Sequence, residues 1–183
     1  MKLKKITLLS VVATLCLNLT SQAQEPIKAL RVGDKLPETF WQQEHTIYAN
    51  GQTSKHTLEK YKGKLLILDF WATWCSSCIK KMPYLDSLQR AYPDHLKILL
   101  VNSRKSDRDN TTVKLAFDEY AKGLVLSSVI NDTHLGQLFP HRLLPHYVWI
   151  GANGQIISFS NSDFVNRATI SKLTKNNGKE LIQ

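Results

Sequence analysis

The hydrophobic pattern of the chain centres on residues 65–71, where Leu-Leu-Ile-Leu-Asp-Phe-Trp is apolar at every position except Asp69. A consecutive apolar run of this length predicts a strand that is buried on both faces. Further along, apolar residues recur at intervals of three and four, which is the spacing of a helix with one buried face. These residues are Ile79, Met82, Leu85, Leu88 and Tyr92. The pattern therefore predicts a buried strand, a short connection and an amphipathic helix.

Similar patterns predict the other elements. Apolar or alternating stretches predict strands at 46–49, 52–57, 96–101, 124–130, 147–150 and 155–160. Helical spacing predicts helices at 113–124, at 132–139 and after Asn166, which can cap the last one. Asn50-Gly51 and Asn153-Gly154 each separate two strands, and Asn-Gly supplies the positive φ angles of a tight hairpin turn. Because strands and helices alternate in the middle of the chain, parallel β-α-β units within an α/β domain are expected.

Two cysteines lie in the connection between the buried strand and its helix. Cys75 is expected at the helix N-terminus, where free backbone N–H groups and the helix dipole favour negative charge. This position should lower the pKa of the Cys75 thiol and make it a nucleophile. Cys78 lies one helical turn further on, within reach of a mixed disulfide at Cys75. An inert structural disulfide is the alternative, but so small a loop would stabilise the fold little.

The stretch from Asp69 to Cys78 reads Asp-Phe-Trp-Ala-Thr-Trp-Cys-Ser-Ser-Cys, and Pro83 follows five residues later. It resembles the active-site signature of the thioredoxin superfamily. Within the superfamily, the chain is most similar to the TlpA/ResA-like secreted thiol-disulfide oxidoreductases, whose Gly-Asp-x-x-Pro entry is matched at 33–37. The resemblance covers roughly residues 33–173. It implies a thioredoxin-like α/β fold, with a central mixed β-sheet flanked by helices and an N-terminal β-hairpin extension.

The resemblance also implies a role for each of three residues in the reaction. Cys75 would attack a substrate disulfide, and Cys78 would release the reduced product. Asp69 would be a buried proton acceptor that helps to deprotonate Cys78. A carboxyl group inside an apolar strand has a raised pKa, which suits that task. The alternative is an aspartate at the strand end that faces water.

Three further residues are expected to bind substrate. The superfamily places a cis-proline before one of its later strands, and Pro145 corresponds to it. Leu144 would then offer its backbone to an extended substrate as an added strand, with an ordinary trans-proline as the alternative. Trp74, directly before the nucleophile, is expected to form an apolar rim for substrates. His146 stands where the family often has threonine, and this departure weakens any inference of substrate preference from the family.

The first 23 residues have a basic start, a mostly apolar core and a small-x-small pattern at 21–23, which predicts a cleavable secretory signal peptide. An uncleaved anchor is the alternative. The expected divisions are the signal peptide at 1–23, a flexible lead-in at 24–32, the thioredoxin-like domain at 33–175 and a C-terminal tail at 176–183. The protein is therefore expected to be periplasmic or otherwise exported. Cleavage would remove Cys16 and leave Cys75 and Cys78 as the two cysteines.

Composition and charge narrow the function. The formal net charge of +9 falls to +6 without the three lysines of residues 1–23. The remaining charges are scattered, which argues against a nucleic-acid partner. The Ser-Ser dipeptide between the cysteines lacks a histidine that would stabilise the thiolate, which favours a reducing or intermediate potential.

The expected function is thiol-disulfide exchange on exported protein disulfides, in the reducing direction. By family resemblance, apocytochrome c is a candidate substrate. A membrane or soluble thiol donor must reduce the cysteine pair again after each reaction, because the periplasm is oxidising. No cofactor or metal is needed, and a monomer is expected.

A binding or delivery function is the competing hypothesis. His134, His141 and His146 lie near the proline in sequence, and with the two cysteines they could form a copper site of two sulfurs and one nitrogen. The copper-delivery members of the superfamily use a wider cysteine spacing, which weakens this reading. A redox-inactive adaptor that binds partners through the proline groove is the other form of the hypothesis.

Overall fold

Residues 27–176 are described by a computed structural model. Their centre is a seven-stranded sheet with the order β2-β1-β5-β4-β3-β6-β7. The strands are β1 His45–Ala49, β2 Gln52–His56, β3 Leu65–Trp71, β4 Leu96–Ser103, β5 Ser128–Asp132, β6 His146–Ile150 and β7 Ile156–Ser160. β3 pairs parallel to β4 and antiparallel to β6, and the β1–β2 hairpin joins the sheet antiparallel to β5. The predicted mixed sheet with an N-terminal hairpin extension is confirmed.

Helices cover both faces of this sheet. Within the described residues they are α1 Glu38–Gln42, α2 Ser76–Ala91, α3 Asn110–Tyr120, α4 Leu135–Leu138 and α5 Arg167–Asn176. The sequence pattern predicted α2 to α5 but missed α1, which is five residues long and too short to show a helical period. The Asn166 side chain accepts a hydrogen bond from the Thr169 N–H at 3.0 Å, which confirms the predicted cap of α5.

β5 begins later than the hydrophobic pattern predicted. The pattern placed this strand at 124–130, whereas the structure has it at Ser128–Asp132. Gly123 has a φ of 76°, so the chain turns after α3. The N–H of Val125 then donates to the Asp86 carboxylate on α2 at 2.6 Å, instead of to a neighbouring strand. The residues before β5 are therefore apolar without belonging to the sheet.

The side chains of β3 alternate between two hydrophobic cores, one on each face of the sheet. All seven residues of the strand are buried. One core is closed by α2, α3 and α5, and the other by α1 and α4. The first core contains Leu65, Ile67 and Trp71, and the second contains Leu66, Leu68 and Phe70. By this alternation, Asp69 lies on the face covered by α2, the helix that carries Cys78.

The structure describes only part of the two ends of the chain. The predicted signal peptide and all but the first residue of the predicted tail lie outside residues 27–176. Part of the predicted lead-in contacts the domain, since the Leu30 N–H donates to the Leu138 carbonyl at 2.9 Å. Within residues 27–176, no helix has the length and apolar character that crossing a membrane requires. The domain boundaries remain predictions.

Candidate active site

Cys75 and Cys78 form a disulfide at the N-terminus of α2, with an S–S distance of 1.99 Å. Cys75 is the residue immediately before the helix, and its sulfur accepts a hydrogen bond from the Cys78 N–H at 3.3 Å. The Ser77 hydroxyl lies 3.6 Å from the same sulfur. These donors and the helix dipole all face Cys75 Sγ. The arrangement stabilises negative charge at that atom once the disulfide is reduced.

The two cysteines differ in exposure. Cys78 is 0% exposed and Cys75 is 5% exposed. Cys75 is therefore the member of the pair that solvent can reach. Its exposure is smaller than the sequence suggested, because the turn before α2 and the neighbouring hydrophobic core surround it.

Asp69 is completely buried in the middle of the sheet. The alternative of a water-facing strand end is wrong, because Asp69 pairs directly with Tyr147 of β6. Neither carboxyl oxygen has a hydrogen-bond partner among the described residues, and the Tyr147 hydroxyl has none either. Burial raises the pKa of Asp69 well above its ordinary value, and the nearby Tyr147 hydroxyl and the Lys81 charge offset this only in part. A buried carboxyl group without a hydrogen-bond partner and with a strongly raised pKa is a candidate functional residue.

The turn between β3 and α2 is held by a residue that the sequence analysis missed. The Asp107 carboxylate accepts hydrogen bonds from the Thr73 N–H at 3.0 Å and the Thr73 hydroxyl at 2.7 Å. Asn102, at the end of β4, donates to the same carboxylate at 2.7 Å. In sequence, Asp107 lies in a polar loop with several other charged residues, so nothing local distinguishes it. Only its contacts show that it fixes the segment leading to Cys75.

The Leu144–Pro145 peptide bond is cis, as the resemblance implied. β6 begins at the next residue, where His146 pairs with Phe70 of β3. Since β3 leads into the Cys75 turn at this end, the cis bond and the disulfide lie at the same end of the sheet. Leu144 packs against both hydrophobic cores.

A cleft of about 700 Å³ opens beside the disulfide turn. Trp74, whose side chain is 65% exposed, lines one part of it, and Leu144 lines another. The Trp74 indole N–H donates to the Ser106 carbonyl at 3.3 Å, which holds the ring at the edge of the cleft. We call this the Trp74 cleft; besides these two residues, it is lined by Arg104, Lys105, His141 and Arg142, among others. Two of the three predicted substrate-binding residues, Trp74 and Leu144, therefore meet at one surface.

The three histidines of the copper hypothesis do not converge. The rings of His141 and His146 stack with centroids 4.8 Å apart and lie against Phe70, in the core on the other face of the sheet. His134 instead lies beside His45, with ring centroids 6.4 Å apart. In the part of the chain that the structure describes, no three His, Cys, Asp or Glu side chains are grouped to hold a metal ion.

The sequence profile of the Redoxin family matches residues 31–175, which include every strand, both cysteines of the disulfide and the cis-proline. The chain belongs to the Redoxin family. A second match specifies the branch. Thiol-disulfide oxidoreductase ResA of Oceanobacillus iheyensis is 32% identical over 114 residues, covering 62% of this chain and 56% of the relative. The predicted membership of the thioredoxin superfamily, with a ResA/TlpA-like character, is confirmed.

A shorter match extends the comparison of this Redoxin-family chain. Thioredoxin-like protein YneN of Bacillus subtilis is 38% identical over 66 residues, covering 36% of this chain and 39% of the relative. The chain thus spans 39% and 56% of the lengths of these two curated relatives. Among solved structures, the exposed lipoprotein thioredoxin Etrx1 from Streptococcus pneumoniae matches with a TM-score of 0.61 and 23% identity, covering 73% of this chain and 98% of that one. This similarity confirms the thioredoxin-like fold.

Proposed function

We propose that this Redoxin-family protein is a thiol-disulfide oxidoreductase that reduces disulfides in exported proteins. The observation that carries the proposal is the Cys75–Cys78 disulfide at the N-terminus of α2, in which Cys75 keeps 5% exposure and Cys78 has none. The ResA relative is a thiol-disulfide oxidoreductase by name, which supports the same activity for this chain. The oxidised pair is the state that such an enzyme reaches after it has reduced a substrate.

In the first step, the Cys75 thiolate attacks one sulfur of a substrate disulfide. A bond forms between Cys75 Sγ and that sulfur, and the substrate S–S bond breaks. The second substrate sulfur leaves as a thiolate and takes a proton from solvent. The Cys78 N–H, which lies 3.3 Å from Cys75 Sγ in the oxidised form, stabilises the attacking thiolate.

In the second step, the Cys78 thiolate attacks Cys75 Sγ. The bond between Cys75 and the substrate breaks, the Cys75–Cys78 disulfide forms, and the substrate leaves with both sulfurs reduced. Because Cys78 is completely buried, its proton needs an acceptor inside the protein. Asp69 has this role in our proposal, since its unpaired carboxyl lies on the face of the sheet that α2 covers.

Substrate binding is assigned to Trp74, Leu144 and Pro145. Trp74 offers an exposed aromatic surface next to the nucleophile, and Leu144 lines the same cleft. The cis peptide bond before Pro145 places the Leu144 backbone at the sheet end where the disulfide lies. An extended substrate segment can pair with this backbone as an added strand.

Export and direction are also part of the proposal. Export rests on the signal-peptide pattern of residues 1–23. The reducing direction rests on Ser76 and Ser77, which place no histidine beside the thiolate. We expect a reduction potential between about −270 and −180 mV, the range from thioredoxin to protein disulfide isomerase. A value near −120 mV, typical of a dedicated oxidant, would contradict the reducing direction. A membrane or soluble dithiol donor reduces the Cys75–Cys78 disulfide again. Apocytochrome c is one candidate substrate.

Insulin reduction with a dithiol donor tests the activity. Wild-type protein should accelerate precipitation of the insulin B chain, and Cys75→Ser should abolish the acceleration. Cys78→Ser should instead accumulate a mixed disulfide with the substrate, because the second step is blocked. Ser76→Ala, which changes an exposed residue of the same turn, serves as the matched control and should keep the activity. Full insulin reduction by Cys75→Ser would refute the proposal.

A further inference from the structure

The Trp74 cleft is not explained by the disulfide exchange alone. Its volume of about 700 Å³ is that of a site for a sizeable ligand, whereas the exchange requires room for one substrate disulfide. The cleft is formed by the turn before Cys75, the loop after β4, the region of α4 and the loop that carries Leu144. A substrate whose sulfur reaches Cys75 therefore has its neighbouring residues at this cleft.

Three charged side chains of the Trp74 cleft form no ion pair with any described residue, and all three are positive. Arg104, Lys105 and Arg142 line it, and all three are exposed. Within residues 27–176, the ion pairs involve Lys62 and Arg90 and none of these three cations. Their charge is therefore available to a ligand.

The one carboxylate in the lining of the Trp74 cleft already accepts hydrogen bonds from backbone N–H groups. Asp132 accepts hydrogen bonds from the N–H groups of His134 at 3.1 Å and Leu135 at 2.9 Å through Oδ1. Its Oδ2 accepts from the Gly136 N–H at 2.8 Å. Asp132 is also 5% exposed. These bonds hold the Asp132 carboxylate at the start of α4, and it forms no ion pair with the three cations. With three cations and one carboxylate in its lining, the cleft keeps a net positive charge.

We propose that the Trp74 cleft binds an acidic segment of the substrate polypeptide, next to the substrate cysteine. The inference rests on the proposed function, because it concerns the substrate of the same disulfide exchange. Trp74 and Leu144 contact the apolar part of the segment and set its position relative to Cys75. Arg104, Lys105 and Arg142 pair with its aspartate or glutamate side chains. The preferred substrates are thus acidic polypeptides, with the carboxylates close in sequence to the reactive cysteine.

Peptide substrates of matched length test this inference. Three peptides carry one cysteine as a mixed disulfide with neutral pyridine-2-thiol, flanked by Glu, Gln or Lys. Reduced protein converts each to the peptide thiol and pyridine-2-thione and becomes oxidised itself, so the release of pyridine-2-thione gives the second-order rate constant of a single turnover. We expect this rate constant to be about tenfold larger for the Glu peptide than for the Lys peptide at low ionic strength. Added salt should reduce this ratio.

Two sets of substitutions separate the cleft from the overall charge of the protein. The triple variant Arg104→Gln, Lys105→Gln and Arg142→Gln should bring the Glu-to-Lys ratio to within about twofold of unity, since steering requires a local concentration of charge. The matched control removes three exposed cations outside the cleft. It combines Lys60→Gln, Lys122→Gln and Lys175→Gln, and it should keep the wild-type ratio. Equal loss of the ratio in both variants would contradict the inference, because the overall charge would then be the cause.

The outcomes also distinguish this inference from the proposed function. Reduction of all three peptides at the same rate would refute the acidic substrate and leave the oxidoreductase activity standing. If no peptide is reduced, the proposed function fails. A separate binding measurement then tests whether the cleft prefers acidic peptides. Fluorescence anisotropy with labelled, cysteine-free peptides and the oxidised protein measures that binding. Tighter binding of the Glu peptide supports the cleft assignment, and equal binding of the Glu and Lys peptides overturns it.

Discussion

Asp107 holds Thr73 through both of its carboxylate oxygens. Oδ1 accepts a hydrogen bond from the Thr73 hydroxyl at 2.7 Å, and Oδ2 accepts from the Thr73 N–H at 3.0 Å. The side chain of Asn102 donates to the same Oδ2 at 2.7 Å. Because Thr73 lies two residues before Cys75, this carboxylate connects the turn that carries the nucleophile to the end of β4.

Asp107→Asn should impair both the stability and the reactivity of the disulfide turn. An asparagine has a single carbonyl oxygen, so it cannot accept all three hydrogen bonds. We expect the free energy of unfolding to fall by about 1.5–3 kcal/mol, the usual range for a lost hydrogen bond to a charged group. Alkylation of reduced Cys75 by iodoacetamide should slow about tenfold, because the sulfur is less well positioned. Denaturant unfolding and the alkylation rate at neutral pH measure the two effects.

Asp109→Asn is the matched control for this prediction. Asp109 lies two residues further along the same loop and accepts hydrogen bonds from the N–H groups of Thr111 and Thr112 at the start of α3. Asparagine is also a good helix cap, so this variant removes the same charge without disturbing the Cys75 turn. If both variants slow the alkylation equally, the effect is one of general charge and the positioning role of Asp107 is wrong.

Asp69→Asn should slow the second step of the exchange. The amide cannot accept the Cys78 proton, and loss of a general base commonly costs about 10²-fold or more. Burial raises the pKa of Asp69, so in wild type the carboxylate forms, and the rate of the step rises, only as the pH increases through that raised value. The variant should lack this rise. Rapid mixing followed by acid quenching, with the mixed disulfide quantified from pH 5 to 9, measures the step.

The control for Asp69 is another buried carboxylate outside the redox site. Asp86 lies on α2, where its Oδ2 pairs with Arg90 at 2.7 Å and its Oδ1 accepts from the Val125 N–H. Asp86→Asn should lower stability but leave the decay of the mixed disulfide unchanged. An unchanged decay in Asp69→Asn near neutral pH would remove Asp69 from the mechanism.

Ser128→Ala should destabilise the fold through a buried tryptophan. The Trp71 indole N–H donates to the Ser128 hydroxyl at 2.9 Å, and both residues are completely buried. Without the hydroxyl, the indole N–H has no partner, which typically costs about 1–3 kcal/mol of unfolding free energy. Denaturant unfolding measures the change. The double variant Trp71→Phe and Ser128→Ala should show a coupling between the two sites; strictly additive effects would contradict the importance of this hydrogen bond.

His146→Gln should make the stability of the protein less sensitive to acid. Burial, and to a smaller extent the charge of His141, lower the pKa of His146 from 6.5 to about 4. The unfolded chain therefore binds a proton more readily, and wild-type stability falls as the pH decreases from 6.5 towards 4. For this partly exposed side chain we expect the loss to be about 2 kcal/mol, roughly half of that for a fully buried group.

Thermal or denaturant unfolding at pH 7 and at pH 4.5 measures this difference. His56→Gln changes an exposed histidine in β2 and should reproduce the wild-type pH dependence. If His146→Gln loses as much stability on acidification as wild type does, the titration of His146 does not contribute.

Much of the site follows from local sequence, because neighbouring residues define it. The run at 65–71 is a strand in the structure, and Cys75 does stand at the start of a helix. Both Asn-Gly turns lie between paired strands, and Asn50 and Gly51 have φ angles of 50° and 75°. Each of these features depends on the backbone preferences or the hydrophobic period of a few consecutive residues.

The errors occurred where a distant contact overrode the local pattern. The apolar residues before β5 looked like strand, but the Asp86 carboxylate, 39 residues away in sequence, takes the N–H of Val125. The competing copper hypothesis, already weakened by the cysteine spacing, relied on three histidines that are close in sequence. In the fold, His141 and His146 stack on the aromatic core, and His134 packs elsewhere.

The sequence alone determined the order of the strands and of helices α2 to α5, the Cys75–Cys78 pair and its place at a helix N-terminus, because these depend on residue type and spacing within about ten positions. The tertiary structure decided that Asp69 is buried without a hydrogen-bond partner for its carboxyl group among residues 27–176 and that Asp107 accepts hydrogen bonds from Thr73. It also decided that three cations without an ion-pair partner in the described part of the chain lie beside Trp74. These properties arise from residues that are distant in sequence and meet only when the sheet forms. No local pattern encodes burial, hydrogen-bond partners or the sum of charges around a cleft, since each depends on which elements pack together.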